Sequence, residues 1–297
     1  MNSEAGWSTW PAPAKLNLFL QIVGRRADGL HCLQTVFQLL DWGDTVHIRL
    51  NNDSQIRRSG GDTGHIPEEQ DLLLRAACLL RATSPADHGA DISVSKQIPV
   101  GGGFGGGSSN AATVLVALNR LWGLDLDKSD LAQLGSQLGA DVPVFVLGQN
   151  AWAEGTGERL TPLDLPDSWF VLVDPGIHTS TLALFGTVEL TRDAVPATML
   201  DFISGEARGN VFEPVLRRLE PAVDSALKLM SKYGQACLTG TGSGCFLRFA
   251  SRQAALDAQA GLAPRLASRV VAGARRSALI DALEAGPASA FSWIGKK

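Results

Sequence analysis

Six of the seven residues from 101 to 107 are glycine. The full run reads Pro99, Val100, Gly101, Gly102, Gly103, Phe104, Gly105, Gly106, Gly107, Ser108, Ser109, Asn110. Ordering such a run is expensive, because glycine loses more backbone freedom on folding than any other residue. It makes sense where bare backbone must press against something, and phosphate is the usual partner. Residues 108–122 follow with Val114, Leu115, Leu118, Leu121 and Trp122 on one helical face, and Ser108 and Ser109 are the expected N-caps. A glycine loop feeding a helix N-terminus offers free N–H groups at the positive end of the helix dipole.

Other readings of the run fit less well. A flexible linker does not lead at once into a capped amphipathic helix or carry Phe104. Residues 97–119 are uncharged, yet their glycines, serines and asparagines leave no apolar core of ~20 residues for a membrane span. Gly101, Gly103 and Gly106 satisfy G-x-G-x-x-G. That fingerprint needs a second strand ending in an acidic residue about 20 positions on. Asp125 and Asp127 follow the helix too closely for it. No Gly-Lys-Ser/Thr follows the loop, so the Walker A pattern fails as well. What remains is a nucleotide-phosphate loop of a different kind.

The 297 residues suffice for one large or two medium domains. Hydrophobic content of 45% and charge of 19% suit a soluble globular protein, and a net charge of −4 argues against a nucleic-acid binder, which would normally carry a basic stripe. Arg265, Arg269, Arg275 and Arg276 gather near the C-terminus with Asp281 and Glu284 behind them, and are expected on a solvated helix face. Cys32, Cys78, Cys237 and Cys245 form no C-x-x-C pair and the five histidines are dispersed, so neither a disulfide framework nor a zinc site is expected. Residues 1–10 carry no basic start and no apolar stretch, so no signal peptide is expected and the cytoplasm is the expected location.

Strands are expected at 14–23 (with Lys15 and Asn17 near the start), 35–40, 45–50 and 91–100, where Ile92, Val94 and Ile98 alternate. Residues 51–69 read as a surface loop or hairpin, and 72–81 and 127–138 as helices, the second capped by Asp127. The composition shifts around 160–169. Beyond it come a strand at 169–173, a helix at 220–233, a strand with a turn at 236–249 and a helix at 252–260, an α+β pattern.

Three strings stand in the order of the three motifs of the GHMP kinase superfamily, which the chain resembles. They are Pro-Ala-Pro-Ala-Lys-Leu-Asn-Leu at 11–18, the glycine run through residue 112, and Leu-Thr-Gly-Thr-Gly-Ser-Gly-Cys at 238–245. Further strings narrow the match: Gly-Leu-His-Cys-Leu-Gln-Thr at 29–35, Phe37, Asp-Trp-Gly-Asp at 41–44, Gly-Ala-Asp-Val-Pro-Val-Phe at 139–145 and Glu-Gly-Thr-Gly at 154–157. Together they are similar to the branch that phosphorylates 4-diphosphocytidyl-2-C-methyl-D-erythritol on the non-mevalonate route to isoprenoids. The likeness is strong over residues 10–160 and looser beyond.

The resemblance implies an α+β, two-domain GHMP kinase fold. Residues 1–160 would form a ribosomal-protein-S5-domain-2-like ATP-binding domain. Residues 161–297 would form a ferredoxin-like substrate domain whose last segment can pack back on the first. It also implies ATP with Mg2+, no permanently bound protein metal, and a small-molecule cytidine diphosphate substrate. No nucleic-acid or membrane partner is expected, and the chain is expected as a monomer or weak homodimer.

Residues 99–110 would wrap the ATP phosphates, Ser108 and Ser109 adding hydroxyls near the β-phosphate and its magnesium, with Gly240, Thr241 and Gly242 across from them. The alternative for that third motif is a tight strand-to-helix turn alone. Asp141 matches the family's catalytic aspartate, the base for the acceptor hydroxyl. As a bare residue it reads as an N-cap ahead of Pro143, and both roles can hold at once. Lys15 matches the catalytic lysine, which softens charge developing on the acceptor oxygen. Asn17, His31, Thr181 and Phe185 are the expected substrate contacts, Asn17 at the diol and His31 at the base.

One departure concerns the base. The family clamps cytosine between two aromatic rings, one from a Gly-Tyr-His triplet. Here the triplet is Gly29, Leu30 and His31, which leaves Phe185 as the expected platform, or else an ordinary core phenylalanine. The competing functions are another GHMP small-molecule kinase of homoserine or mevalonate type, or a nucleotide-binding regulator without catalysis.

Overall fold

Two long antiparallel strands organise the first half, β1 (Ser8–Arg25) and β2 (His31–Asn51). A computed structural model describes residues 6–61, 66–286, 291 and 293. β1 starts six residues before its expected beginning and runs through Pro11 and Pro13. Its ladder is with β2 alone, and an edge strand tolerates prolines because its open side needs no N–H. The two strands expected at 35–40 and 45–50 are one. β2 passes unbroken through 41–44 because Gly43 presses on the backbone of Ala12 and Pro13, where a Cβ would overlap them.

The expected loop at 51–69 contains β3 (Ile56–Arg58), which runs parallel to a later strand rather than forming a hairpin. Residues 62–65 of that loop lie outside the described residues. α1 (Leu72–Arg81) stands where expected, capped by Asp71, which accepts from the Leu73 N–H at 2.9 Å. β4 (Gly89–Ser95) pairs with β3 and β2 but stops five residues short of expectation. Asp44 Oδ1 claims the amides that would continue it, Gln97 N at 2.7 Å and Ile98 N at 2.8 Å.

α2 (Gly106–Trp122), α3 (Lys128–Ser136), α4 (Val142–Leu147), β5 (Ala151–Glu154) and β6 (Arg159–Pro162) complete this half. Asp127 caps α3 as expected, accepting from the Asp130 N–H at 2.8 Å.

The second half contains β7 (Trp169–Val173), α5 (Thr181–Gly186), α6 (Met199–Ser204), α7 (Glu213–Leu219), α8 (Pro221–Met230), β8 (Cys237–Leu238), β9 (Cys245–Phe249), α9 (Arg252–Leu262), β10 (Ser268–Ala274) and α10 (Ala278–Ala285). The arginine cluster is not a helix face. Arg269 lies in β10 with its guanidinium 5.1 Å from the Trp42 ring centre, and Arg275 and Arg276 follow the strand and pair with Asp167 and Asp281. Only Val271 of β10 is buried and most of the strand is half-buried, so its alternation is faint.

β10 joins the halves, pairing with β7 on one side and with Leu39 and Leu40 of β2 on the other. Among the described residues the sheet runs β3-β4-β2-β10-β7-β9-β8. One core packs α1, α2 and α4 on the first half of the sheet and includes Leu279 of α10. A second packs α8 and α9 over β7 and β9. A third, with Leu16, Trp42, Phe104, Phe170 and Phe246, lies at the junction. Phe104 therefore anchors the glycine run, its ring edge-on to Trp42 at 6.3 Å. No helix among the described residues is long and apolar enough to cross a membrane.

Candidate active site

Register shifts between Pro13 and Lys15, and again between Asn17 and Phe19, bracket the middle of β1. Lys15 and Asn17 share a face by the strand's period of two, and irregularities of this kind re-aim side chains. Both residues are thus mid-strand rather than near a strand start. The Lys15 N–H donates to Phe104 O at 3.0 Å, tying β1 to the glycine run. The Asn17 N–H donates to Thr239 Oγ1 at 3.0 Å, tying it to the turn between β8 and β9.

Lys15 is only 2% exposed, and its ammonium lies 3.1 Å from Asp141 Oδ2. It also donates to Asn17 Oδ1 at 2.5 Å and sits 5.6 Å from the Phe37 ring centre. Asn17 Nδ2 donates to Thr35 Oγ1 at 2.8 Å, so Asn17, expected at the diol, holds Lys15 with its amide oxygen and Thr35 with its amide nitrogen. Asp141 occupies the N-cap position of α4 with a proline in the first turn, yet its side chain makes no capping bond. The carboxylate turns to Lys15 instead, and at 32% exposure it reaches the cavity.

Gly101, Gly103 and Gly105 adopt φ of +76°, +74° and +78°, where an L side chain is strained. The need at Gly105 is also steric, since a Cβ would stand 2.9 Å from Phe145 Cζ and 3.0 Å from Lys15 Cε. Gly105, not Ser108 or Ser109, is the N-cap of α2, which begins two residues earlier than expected. The first turn then presents the amides of Gly106, Gly107 and Ser108, which have no intrahelical acceptor. Ser108 borders the cavity. Ser109 does not: it is fully buried, and among the described residues its hydroxyl has no hydrogen-bond partner. The helix start two residues upstream turns Ser109 into the core, so of the two serines expected at the phosphates only Ser108 lines the cavity.

Asn110 is engaged with two groups that sequence reasoning missed. Its Nδ2 donates to Asp44 Oδ2 at 3.0 Å and its Oδ1 accepts from Lys96 Nζ at 3.1 Å, while Lys96 forms an ion pair with Asp44. Lys96 borders the cavity. The signal available was its position at the edge of the charge-free stretch that begins at Gln97.

The third motif is a strand-to-strand turn between β8 and β9, not a strand-to-helix turn. The Gly244 N–H donates to Gly102 O at 3.0 Å, which fastens this turn to the glycine run. Thr241 and Thr181 meet through their hydroxyls at 3.1 Å.

These groups border one cavity of about 1380 Å3. That exceeds the roughly 300–1,000 Å3 of a site for one small molecule and leaves room for two. Lys15, Asn17, residues 99–108, Asn110 and Asp141 line it from the first half, with His31 beyond them, and Thr181, Phe185, Gly240, Thr241 and Gly242 from the second. Among the described residues no cluster of three or more His, Cys, Asp or Glu could hold a metal ion.

The far end of the cavity begins at the hairpin turn from β1 to β2. The Arg26 N–H donates to Leu30 O at 2.7 Å, the Leu30 N–H donates to Asp28 Oδ1 at 3.1 Å, and Gly29 takes φ +90°. Leu30 is 52% exposed at the cavity mouth. The His31 ring stacks on Phe185 with centroids 4.8 Å apart and planes 24° apart. Phe185 also meets the edge of Phe212 at 5.0 Å. Phe185 is therefore not an open platform: with no ring at position 30, His31 itself covers one face. A third ring between them would need roughly twice that separation. Burial first, and the Arg25 and Arg192 guanidinium groups after it, hold the His31 imidazole below its ordinary pKa.

The family described as GHMP kinases N terminal domain matches residues 71–149, and the one described as GHMP kinases C terminal matches residues 197–266. The 4-diphosphocytidyl-2-C-methyl-D-erythritol kinase of Xanthomonas campestris pv. campestris is 60% identical over 283 residues, covering 95% of this chain and 96% of its own. The kinase of the same name from Xylella fastidiosa is 58% identical over 284 residues, covering 96% and 95%. A crystal structure of 4-(cytidine 5'-diphospho)-2C-methyl-D-erythritol kinase superposes with a TM-score of 0.77 at 32% identity, covering 90% of this chain and 99% of that one.

Proposed function

The chain belongs to the 4-diphosphocytidyl-2-C-methyl-D-erythritol kinases of the GHMP kinase family, and on that premise we propose that its cavity transfers the γ-phosphoryl group of ATP to the 2-hydroxyl of 4-diphosphocytidyl-2-C-methyl-D-erythritol. The observation that carries the assignment of roles is the pair of buried Lys15 and cavity-facing Asp141, 3.1 Å apart, at the meeting point of β1, the glycine run and the β8–β9 turn.

Phosphoryl transfer asks the protein for position and charge rather than for covalent chemistry. The first-turn amides of α2 and the left-handed backbone of Gly101, Gly103 and Gly105 cradle the phosphates. The acceptor oxygen bonds to the γ-phosphorus as the bond to the β,γ-bridging oxygen breaks, and ADP leaves with that electron pair. Asp141 Oδ takes the hydroxyl proton. An ammonium has three donors. Lys15 directs two at Asp141 and Asn17 and has a third for an oxygen in the cavity. The cytidine end lies against Leu30, His31 and Phe185.

Mg2+ binds sites of this kind through substrate phosphates, waters and one or two oxygen ligands rather than an all-protein cage. Ser108, which borders the cavity, fits as one such oxygen ligand. Bound there, the ion would neutralise charge on the β- and γ-phosphates.

A coupled assay of ADP release tests the proposal. Turnover with the cytidine substrate and none with homoserine or mevalonate is expected. The reverse preference, or no turnover with any of the three, would overturn it.

A further inference from the structure

Arg192 bonds the His31 ring and the backbone that carries Phe185 at the far end of the cavity. Its Nη2 donates to Phe185 O at 2.8 Å and to Thr187 O at 2.6 Å, and its Nη1 donates to Leu190 O at 2.9 Å. Three backbone carbonyls from α5 and the turn after it thus fix the plane of the guanidinium. That leaves Nε pointing at His31, to whose Nε2 it donates at 3.3 Å.

A guanidinium has donors and no acceptor, and it stays charged at any pH the protein survives. His31 Nε2 must therefore offer its lone pair, and in the neutral ring the proton resides on Nδ1. Burial and the two flanking cations, Arg25 and Arg192, lower the pKa of that ring and so favour its neutral form. Among the described residues Nδ1 has no protein partner, and the ring borders the cavity.

Resting on the function proposed above, we infer that Arg192 is a positioning and specificity-determining residue, which holds His31 in the Nδ1–H tautomer and thereby selects cytosine over uracil. An Nδ1–H can only donate, so it asks the base for an acceptor. Cytosine presents a bare ring nitrogen at position 3, where uracil presents an N–H. The opposite tautomer would invert that preference. The same guanidinium holds the carbonyl of Phe185, so the tautomer and the His31–Phe185 stack are set by one side chain.

Two measurements test this. In the intact protein, nitrogen-15 NMR of the His31 ring should place the proton on Nδ1 and leave Nε2 bare. A proton on Nε2 overturns the inference, and this reading needs no substrate, so it stands even if the kinase assignment fails. In the kinase assay, Arg192→Met should raise KM for the cytidine substrate about tenfold with kcat within a few-fold of normal. The preference for cytidine over the uridine analogue should fall by a similar factor. Arg192→Lys cannot reproduce the fork and should recover only part of it. A variant that turns over with its cytidine preference intact contradicts the inference.

Discussion

Leu30 sits at the tip of the β1–β2 hairpin, half exposed, beside the same end of the cavity as His31 and Phe185. An aliphatic side chain there offers contact area but no ring face. A base stacked on an aromatic side chain gains about 1–3 kcal/mol. Leu30→Tyr should accordingly lower KM for the cytidine substrate several-fold without raising kcat, as read by steady-state kinetics. An unchanged KM would mean that position 30 does not face the base. The departure at Leu30 was legible in the sequence, as were His31 and Phe185 as individual residues. Their direct stacking was not, because it depends on Arg192 and on a backbone path no local pattern encodes. Asn17 shows the same limit: its motif marked it, while its engagement with Lys15 and Thr35 came only from the fold.

Elements whose ends are set locally were read well from sequence, and those set at long range were not. α1 and α3 begin where Asp71 and Asp127 cap them, with partners two and three residues away. β4 ends instead because Asp44, on β2, captures the amides of Gln97 and Ile98. α2 starts after a left-handed N-cap at Gly105, where a Cβ would crowd Phe145 and Lys15. Asp44 is fully buried and also holds Lys96 and Asn110, so it fastens β2 to both flanks of the glycine run. Asp44→Ala would take the carboxylate away from a largely buried ammonium and leave two backbone donors without their acceptor. Losing one partner of a buried ion pair costs about 3–5 kcal/mol. Equilibrium denaturation should show a loss of that order; a change within experimental error would show that Asp44 holds nothing in place.

At the scale of the molecule, the two halves are joined by more than the cavity they enclose. β10 pairs with both β7 and β2, and Asn150 reinforces the join, accepting from Leu39 N at 2.8 Å and donating to Ala274 O at 2.9 Å. α10 then returns to the first half, where Leu279 is fully buried in its core. Leu279→Ala should cost about 2–5 kcal/mol, the range for a buried leucine truncated to a cavity. A thermal melt that matches the parent protein would show that α10 is not docked there. The three motifs were legible as separate strings, and the sheet that brings them together rests on β10, whose faint alternation was not.

The central claim is that this assembled cavity works as a phosphoryl-transfer site with Asp141 as its base, and Asp141→Asn tests it most directly. A base acting in the transition state contributes roughly 10²- to 10⁴-fold, so kcat with the cytidine substrate should fall by that factor. The dissociation constant for ATP, read by calorimetry, should stay at its original value because the glycine run is untouched. Near-normal turnover in this variant would contradict the account.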